Sequence, residues 1–361
     1  MTIYKNTKPK FSKFNAGSNN FVFLKEQMNM AKIKIAVAMG GYSSEYDISI
    51  KSGEVVCASL DPQRYEIYPI YVAKDSWNYG DPQGQMHEVN LGDFSFSNGQ
   101  ETIRPDVIFN TIHGAPGENG YLAALCDLID LPQTSTHFYA AALTFNKRDC
   151  LSVLKSFGIK CAPSLYFNEG DKISFDHIKN TLGLPFFVKP NRSGSSYGIS
   201  RVASEKEFSA ALQKAFLEDS EILMERALVG TEVSVGTYLY NDQIQVLSPT
   251  EIVSENHFFD FEAKYHGKSS EITPARITEE ETASVQFEAK RIFEALKMTG
   301  VCRTDFILEE GQPYFIETNS NPGLSKESLV PKQVRYAGMT LSDFFDQLIA
   351  EALKRHNPPE S

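Results

Sequence analysis

The chain lacks several signatures that would assign it quickly. Its five cysteines (57, 126, 150, 161 and 302) form no C-x-x-C pair and no His-spaced set. That argues against a zinc site or a disulfide frame and for reduced, mostly buried thiols. No apolar run approaches the roughly 20 residues of a transmembrane helix, so no membrane partner is expected. No Lys/Arg cluster stands out beyond scattered N-terminal lysines, and the net charge is −11. A nucleic-acid binder usually carries a basic stripe, so nucleic acid is not an expected partner. G-x-G-x-x-G and the Walker P-loop pattern are also absent, which sets aside the two commonest glycine-rich nucleotide loops.

What is present is an ordinary globular composition, 42% hydrophobic and 22% charged over 361 residues. That length holds two or three domains and a sizeable core. Residues 1–30 differ from the rest. They are rich in Lys, Asn and Ser, without periodicity until Phe21–Leu24 and without the apolar core and cleavage site of a secretory signal. They read as a disordered extension, with Met28 or Met30 as alternative starts.

From Ala31 on, a β-branched strand over 32–39 runs into Gly40-Gly41. A helix over 45–60 follows, with a face of Ile48, Val55, Val56 and Leu60 and with Ser43 or Ser44 as its cap. Strands are expected over 66–72 and 105–111, the second ending in the loop I-H-G-A-P-G-E-N-G before a helix over 121–129. Strand, glycine-rich loop and helix in repetition predict an open parallel α/β sheet. Ligands of such sheets sit at the loops after the strand C-termini, here the Gly40-Gly41 turn and the His113 loop.

A helix from Lys147, a strand over 161–167 and an apolar strand over 184–190 follow. The last carries Lys189 and opens into the small-residue loop 191–198, before a return strand over 199–202. Two strands around such a loop make a flap whose amides can cover phosphates. Ser195 in this loop is not the serine of a G-x-S-x-G elbow. A helix over 205–217, strands over 221–228 and 230–240, a helix over 279–298 and an amphipathic helix over 341–355 complete the pattern. Residues 254–271 form a long polar loop studded with aromatics, a length that usually signals function.

The stretch 301–324 carries the sharpest chemistry. It predicts a hairpin, strands 302–308 and 314–318 around the turn 309–312. Centred on Gly311, it sets Asp305 opposite Glu317 and Arg303 opposite Asn319, all on one face. Adjacent carboxylates repel unless a cation neutralises them. A few hard oxygen donors of this kind suit Mg²⁺ brought in with substrate phosphates.

G-G-Y-S-S-E, I-H-G-x-x-G-E-N-G, V-K-P-x-x-x-G-S-S-x-G, E-A-K-Y and R-T-D…I-E-T-N-S-N-P-G-L-S-x-x-S-L-V-P occur here in that order. Together they resemble the D-alanine–D-alanine ligase family of the ATP-grasp superfamily. The resemblance runs from about Lys32 to the C-terminal helix. It implies an N-terminal open parallel α/β domain (31–146) followed by two α+β ATP-grasp lobes, central (147–229) and C-terminal (230–361).

It also implies a cytoplasmic homodimer that joins two D-alanines at the expense of ATP, for peptidoglycan precursors, with two Mg²⁺ or Mn²⁺ ions. Asp305, Glu317 and Asn319 match the metal ligands. Lys147, Lys189, Lys264 and Ser196 match groups on the ATP phosphates. Glu225, Arg226, Ala227 and Leu228 match the adenine segment, and Glu232 the ribose carboxylate. Glu45 matches the carboxylate on the first D-alanine's ammonium, joined by Ser195 and Tyr265, with His113 near that substrate. Arg303 and the Gly323 amide match the oxyanion stabilisers, and Ser328 and Leu329 the holders of the second carboxylate. Tyr265 favours an amine acceptor over D-lactate. Another carboxylate–amine ligase of the same fold, such as a D-Ala–D-Ser enzyme, is the alternative, and a non-catalytic binding regulator a more distant one. Alone, Glu45 reads as a helix-dipole partner, His113 as a satisfied loop histidine, and Lys189 as a snorkelling strand end.

Overall fold

The computed structural model describes residues 31–194, 197–254 and 269–356. Residues 1–30, expected to be an extension, lie outside that range. The first sheet is built on β1 (Ile33–Gly40), buried from Ile35 onward. A strand covered on both faces needs no polar alternation, which explains the continuous run I-A-V-A-M. Next come α1 (Tyr46–Ser59), β2 (Tyr65–Ala73), β3 (Ser76–Gly80), β4 (Met86–Glu88), β5 (Phe96–Ser97), β6 (Thr102–Ile103) and β7 (Val107–Asn110). The sheet order is β4-β3-β2-β1-β7. β1 pairs in parallel with β2 and β7, and β3 and β4 extend the sheet antiparallel. The expected parallel centre is there. The antiparallel edge was not expected, because its strands are only three to five residues long.

The expected cap of α1 is not observed, whereas Val56 and Leu60 of its expected apolar face are buried in the core with Val55 packed against them. Glu45 is the N-cap residue, no side chain caps the helix, and the buried positions are Ser49, Ser52, Gly53 and Val56. A Cβ at Gly53 would lie 2.8 Å from the Met39 Cβ, so close packing on β1 selects small residues there. Ser49 accepts from the Gly40 amide (2.8 Å) and donates to the Thr111 carbonyl (2.9 Å). Ser43 donates to the His113 carbonyl (2.9 Å) instead of capping. The buried hydroxyls of α1 and its approach thus pin both loops at the strand C-termini.

Three helices follow: α2 (Tyr121–Leu128), α3 (Phe138–Phe145) and α4 (Lys147–Ser156). Asn146 caps α4, accepting from the Asp149 amide (3.1 Å). The second sheet holds β8 (Ser164–Asn168), β9 (Phe186–Pro190), β10 (Ser200–Val202) and β11 (Glu221–Arg226) in the antiparallel order β10-β9-β11-β8. Helices α5 (Phe175–Leu182) and α6 (Glu205–Phe216) share its core, which includes Phe186, Val188, Phe208 and Met224. The 191–199 loop joins two antiparallel strands, Ser200 facing Val188. Ser196 does fall in a G-S-S-Y-G run, but a nucleophile elbow needs a strand-to-helix turn, and this is strand to strand.

The third sheet comprises β12 (Thr231–Tyr240), β13 (Gln243–Val246), β14 (Thr250–Ser254), β15 (Ser269–Ile272), β16 (Val301–Glu309) and β17 (Gln312–Asn319). It runs β15-β14-β12-β16-β17, with β13 on β12. The ends of the expected long loop therefore belong to β14 and β15. Helix α7 (Glu279–Ala295) packs on this sheet through Val285, Ala289, Ile292 and Phe293. Helices α8 (Leu329–Tyr336) and α9 (Leu341–His356) close the chain. The expected apolar face of α9 turns back to the first sheet, with Phe345 edge-on to Phe109 at 5.4 Å. One core cluster therefore joins β1, β7, α8 and α9. Among the described residues, no helix is long and apolar enough to cross a membrane.

The β16–β17 hairpin keeps the expected partners for an unexpected reason. Its turn is centred between Glu310 and Gly311, both at positive φ (52° and 72°), with Glu309 facing Gln312. Two positive-φ residues make the tight turn suited to strand twist. That centre sets Phe306 opposite Phe315. Ile316 is then an extra residue, a bulge, beyond which Asp305 faces Glu317 and Arg303 faces Asn319.

Gln333 ties α8 to this sheet. Fully buried, it accepts from the Gly236 amide (2.8 Å) and donates to the Ser234 carbonyl (2.9 Å) and the Thr250 hydroxyl (3.0 Å). Gln333→Leu strands these groups without water, and urea denaturation is expected to show a loss of about 3 kcal/mol or more.

Candidate active site

Two adjoining cavities lie between the sheets. The larger, of about 320 Å³, is lined by Glu45, His113, Glu118, Arg303, Asn319, Gly323, Ser328 and Leu329 among others. The smaller, of about 100 Å³, is lined by Lys189, Glu225, Arg226, Leu228, Glu232 and Asp305 among others. Lys147 and Glu317 line both. Most of the residues singled out from sequence therefore gather here. Ser195, Ser196, Lys264 and Tyr265 lie outside the described residues.

The smaller cavity has apolar walls, Ala162, Phe187, Ile199, Leu228, Ile307 and Ile316, and a charged rim. Such a slot suits a flat heterocycle with a polar tail. Lys189 donates to Glu225 across adjacent strands at 2.5 Å, both side chains buried. Burial opposes the ammonium charge, but Glu225, with Glu317 and Glu232 beyond, outweighs it and holds Lys189 above its usual pKa. Lys189 is thus a buried ion-paired lysine and not a snorkelling one. Arg226 forks onto Glu309 (3.1 and 2.6 Å), which also accepts from the Val229 amide (2.9 Å). The Ala227 amide donates to the Pro185 carbonyl (3.2 Å). These bonds set the course of 226–229 between the second and third sheets.

At the partition, Arg303 forks onto Asp305 (2.9 and 2.7 Å), and Ser234 donates to the same carboxylate (2.6 Å). Arg303 lines the larger cavity and Asp305 the smaller. Asn319 accepts from the Asn321 amide (3.1 Å), which leaves its carbonyl a second lone pair. Asp305, Glu317 and Asn319 thus offer hard oxygen donors from neighbouring positions of one strand pair. Among the described residues no group of three or more His, Cys, Asp or Glu could hold a metal. The set therefore fits a cation that completes its shell with water and substrate phosphate, as Mg²⁺ does.

In the larger cavity, a Cβ at Gly194 would lie 2.9 Å from the Glu45 carboxylate, so the 191–194 segment passes directly over Glu45. Lys147 donates to the Ser193 carbonyl (2.8 Å) from the first turn of α4. His113 is fully engaged. Its Nδ1 lies 3.0 Å from the Asn321 carbonyl, which can only accept, so the proton is on Nδ1. Nε2 lies 3.4 Å from the Ser52 hydroxyl, which in turn accepts from the Leu324 amide (3.2 Å). Burial is the main cause of its lowered pKa, with Arg303 adding to it against Glu45 and Asn321. His113 is a neutral strut between the first sheet and the 319–324 segment. Gly323 packs so closely on Ser328 that a Cβ would lie 2.7 Å from its hydroxyl. Ser328 is the N-cap residue of α8.

A family model described as D-ala D-ala ligase C-terminus matches residues 153–350, and its N-terminal counterpart matches 34–136. The chain belongs to the D-alanine–D-alanine ligase family. The D-alanine–D-alanine ligase of Flavobacterium johnsoniae is 51% identical over 319 residues, 88% of this chain and 99% of that one. Among solved structures, the VanG D-Ala:D-Ser ligase from Enterococcus faecalis superposes with a TM-score of 0.80 at 29% identity, covering 89% of this chain and all of that one. D-alanyl-alanine synthetase A from Vibrio cholerae gives 0.81 at 28% identity, covering 90% and 99%. The mixed α/β architecture of this member of the D-alanine–D-alanine ligase family is the ATP-grasp fold.

Sequence reasoning passed over several residues. Asn191, buried, accepts from the Arg148 amide and donates to Asn146 and Glu221 (2.8, 2.9 and 2.9 Å), joining α4 to the second sheet. Ser234 anchors Asp305. Glu118, the acid of the I-H-G-x-x-G-E-N-G loop, lines the larger cavity and accepts from the Gly114 amide (3.0 Å). Its motif was visible, but nothing local marks it as buried.

Burial, then Glu45 and Glu317, push Glu118 up from 4.5 to about 7, against the pull of the Gly114 amide and Arg303. Between those values the folded protein holds a proton the unfolded chain has released, so this group's contribution makes stability fall as pH rises through the window. Glu118→Gln keeps an acceptor for Gly114 and removes the charge. It is expected to stabilise the ligand-free protein by on the order of 2 kcal/mol at pH 8. The gain should vanish near pH 5, as read by thermal melts at both pH values.

Proposed function

We propose that this chain joins two D-alanines into D-alanyl-D-alanine with ATP, supplying a peptidoglycan precursor in the cytoplasm. The observation that carries this is the pair of cavities meeting at Lys147 and Glu317. One has the apolar walls and charged rim of a nucleotide slot, and the other the mixed charges of an amino-acid site. Their junction is where a γ-phosphate would meet a carboxylate. Membership of the family and a relative at 51% identity named for this activity support the same reading. The D-Ala–D-Ser alternative is not favoured, since VanG lies at 29% identity.

In this reading adenine enters the slot beside Glu225–Leu228, Glu232 takes the ribose, and Lys147 and Lys189 hold the phosphates, with Ser196 and Lys264 as further phosphate-binding groups. Asp305, Glu317 and Asn319 would hold the two Mg²⁺ or Mn²⁺ ions, which would neutralise phosphate charge. The first D-alanine presents its ammonium to Glu45, assisted by Ser195 and Tyr265, while His113 braces that wall. Its carboxylate attacks the γ-phosphorus, giving an acyl phosphate and ADP. Phosphoryl transfer needs alignment and charge neutralisation more than covalent help from the protein. The second D-alanine rests its carboxylate near Ser328 and Leu329, at the N-terminus of α8, where amides favour an anion. Its amine, once deprotonated, attacks the acyl carbon. Arg303 and the Gly323 amide stabilise the tetrahedral oxyanion before phosphate leaves. The three units follow these roles: 31–146 for the first substrate, 147–229 for ATP, and 230–361 for metal and second substrate.

Phosphate release is expected with ATP, Mg²⁺ and D-alanine, but not when L-alanine or D-lactate replaces D-alanine, and only weakly with D-serine. Absence of D-alanine-dependent release sinks the reading. Glu317→Gln should lower turnover at least a hundredfold with melting temperature nearly unchanged. A variant that unfolds yet keeps its specific activity would make Glu317 structural.

A homodimer fits the exposed apolar side chains of α2 and α3, Tyr121, Leu128, Phe138 and Tyr139, since exposed apolar patches mark contact surfaces. Sedimentation should give twice the chain mass, and Leu128→Glu with Tyr139→Glu should give monomers.

A further inference from the structure

Glu118 has no place in the scheme above, yet it lines the cavity assigned to the amino acids. The residue is only 9% exposed, and it lines the cavity. Its Oε2 accepts the Gly114 amide at 3.0 Å, and among the described residues no protein donor meets Oε1. Its own peptide is anchored at both ends: its amide donates to the Gly114 carbonyl (2.7 Å) and its carbonyl accepts from Ser320 (3.3 Å). The backbone is therefore fixed beside the cavity, and the Gly114 amide holds the carboxylate in it. A buried carboxylate with one satisfied oxygen is costly unless something cationic meets the other.

We propose that Glu118 is a second binding carboxylate for the α-ammonium of the first D-alanine, which it shares with Glu45. This rests on the ligase reading and deepens it. Glu45 approaches the cavity from the start of α1 and Glu118 from the loop after β7, so an ammonium between them is held by two independent elements. An ammonium has three donors, enough for both carboxylates and one further acceptor. His113 beside them is held neutral by burial, with Nδ1 on the Asn321 carbonyl and Nε2 near the Ser52 hydroxyl, so its ring does not take Oε1. Two carboxylates crowd each other in the free protein, which the ammonium relieves. The site therefore demands a cationic amine and discriminates against a hydroxy acid of the same shape. That selectivity belongs to the first substrate, apart from any preference at the second.

The test is steady-state kinetics on the full chain with ATP and Mg²⁺, comparing wild type, Glu118→Gln and Glu118→Asp. Wild-type turnover of D-alanine is the control, and its absence would count against the ligase reading before any variant is compared. In Glu118→Gln the KM for the first D-alanine is expected to rise roughly tenfold to a hundredfold, the loss of a charge-assisted hydrogen bond, with the KM for ATP unchanged. D-Lactate, which has a hydroxyl where D-alanine has its ammonium, should inhibit wild type and Glu118→Gln equally. Glu118→Asp, which keeps the charge at shorter reach, should recover most of the D-alanine affinity. An unchanged first KM overturns the proposal, as does a rise confined to the second D-alanine. Equal weakening of D-alanine and D-lactate also overturns it, because that is the signature of a merely structural role.

Discussion

The register of one strand pair governs this site. β16 and β17 bring Arg303, Asp305, Glu317 and Asn319 to a single face because Asp305 opposes Glu317 and Arg303 opposes Asn319. A one-residue slip in a β ladder reverses the face of every side chain. The bulge at Ile316 absorbs such a slip. On the turn side of it, Phe306 and Phe315 stay paired and buried; beyond it, the polar residues line the cavities. It also lets consecutive residues, Ile316 and Glu317, face the same slot. Bulges re-aim side chains beside active sites.

Around that face the charges are arranged so that few are isolated. Asp305 is held by Arg303 and Ser234, and Lys189 by Glu225. Buried pairs of this kind add little net stability over apolar packing. They do keep phosphate-binding and oxygen-donor groups charged inside a poorly solvated cleft. Glu118 is the exception, a carboxylate that burial pushes toward neutrality. It weakens the ligand-free fold, as residues placed for a ligand often do.

The two halves of the site come from different sheets, so their alignment depends on long-range struts. Ser49 and Ser52 of α1, His113 and Asn321 form a polar seam from the first sheet to the segment after β17. Asn321 also donates to the Ile112 carbonyl (2.7 Å). Gln333 fastens α8 to β12 and β14, and Arg226–Glu309 fastens β11 to the β16 turn. These are buried polar networks, where a missing partner is costly.

Much of this was legible in the sequence because it is local. Apolar runs gave the buried strands, a 3.6-residue rhythm gave α6 and α9, and the ordered motifs gave the family. Side-chain alternation on one hairpin placed two carboxylates together. What only the tertiary structure decided depends on partners far along the chain. Helix α1 buries serines and a glycine because Met39 and the Thr111 carbonyl lie against it. Arg226 turns to Glu309, 83 residues away, and His113 is neutral because Asn321 and Ser52 enclose it. Glu118 becomes a perturbed acid only when Glu45 and Glu317 converge on it. A hairpin's pairing follows from neighbours a few residues apart, whereas burial and field at a side chain are set by the whole fold. The opposition of Asp305 and Glu317 could be read in advance, and the bulge that achieves it could not.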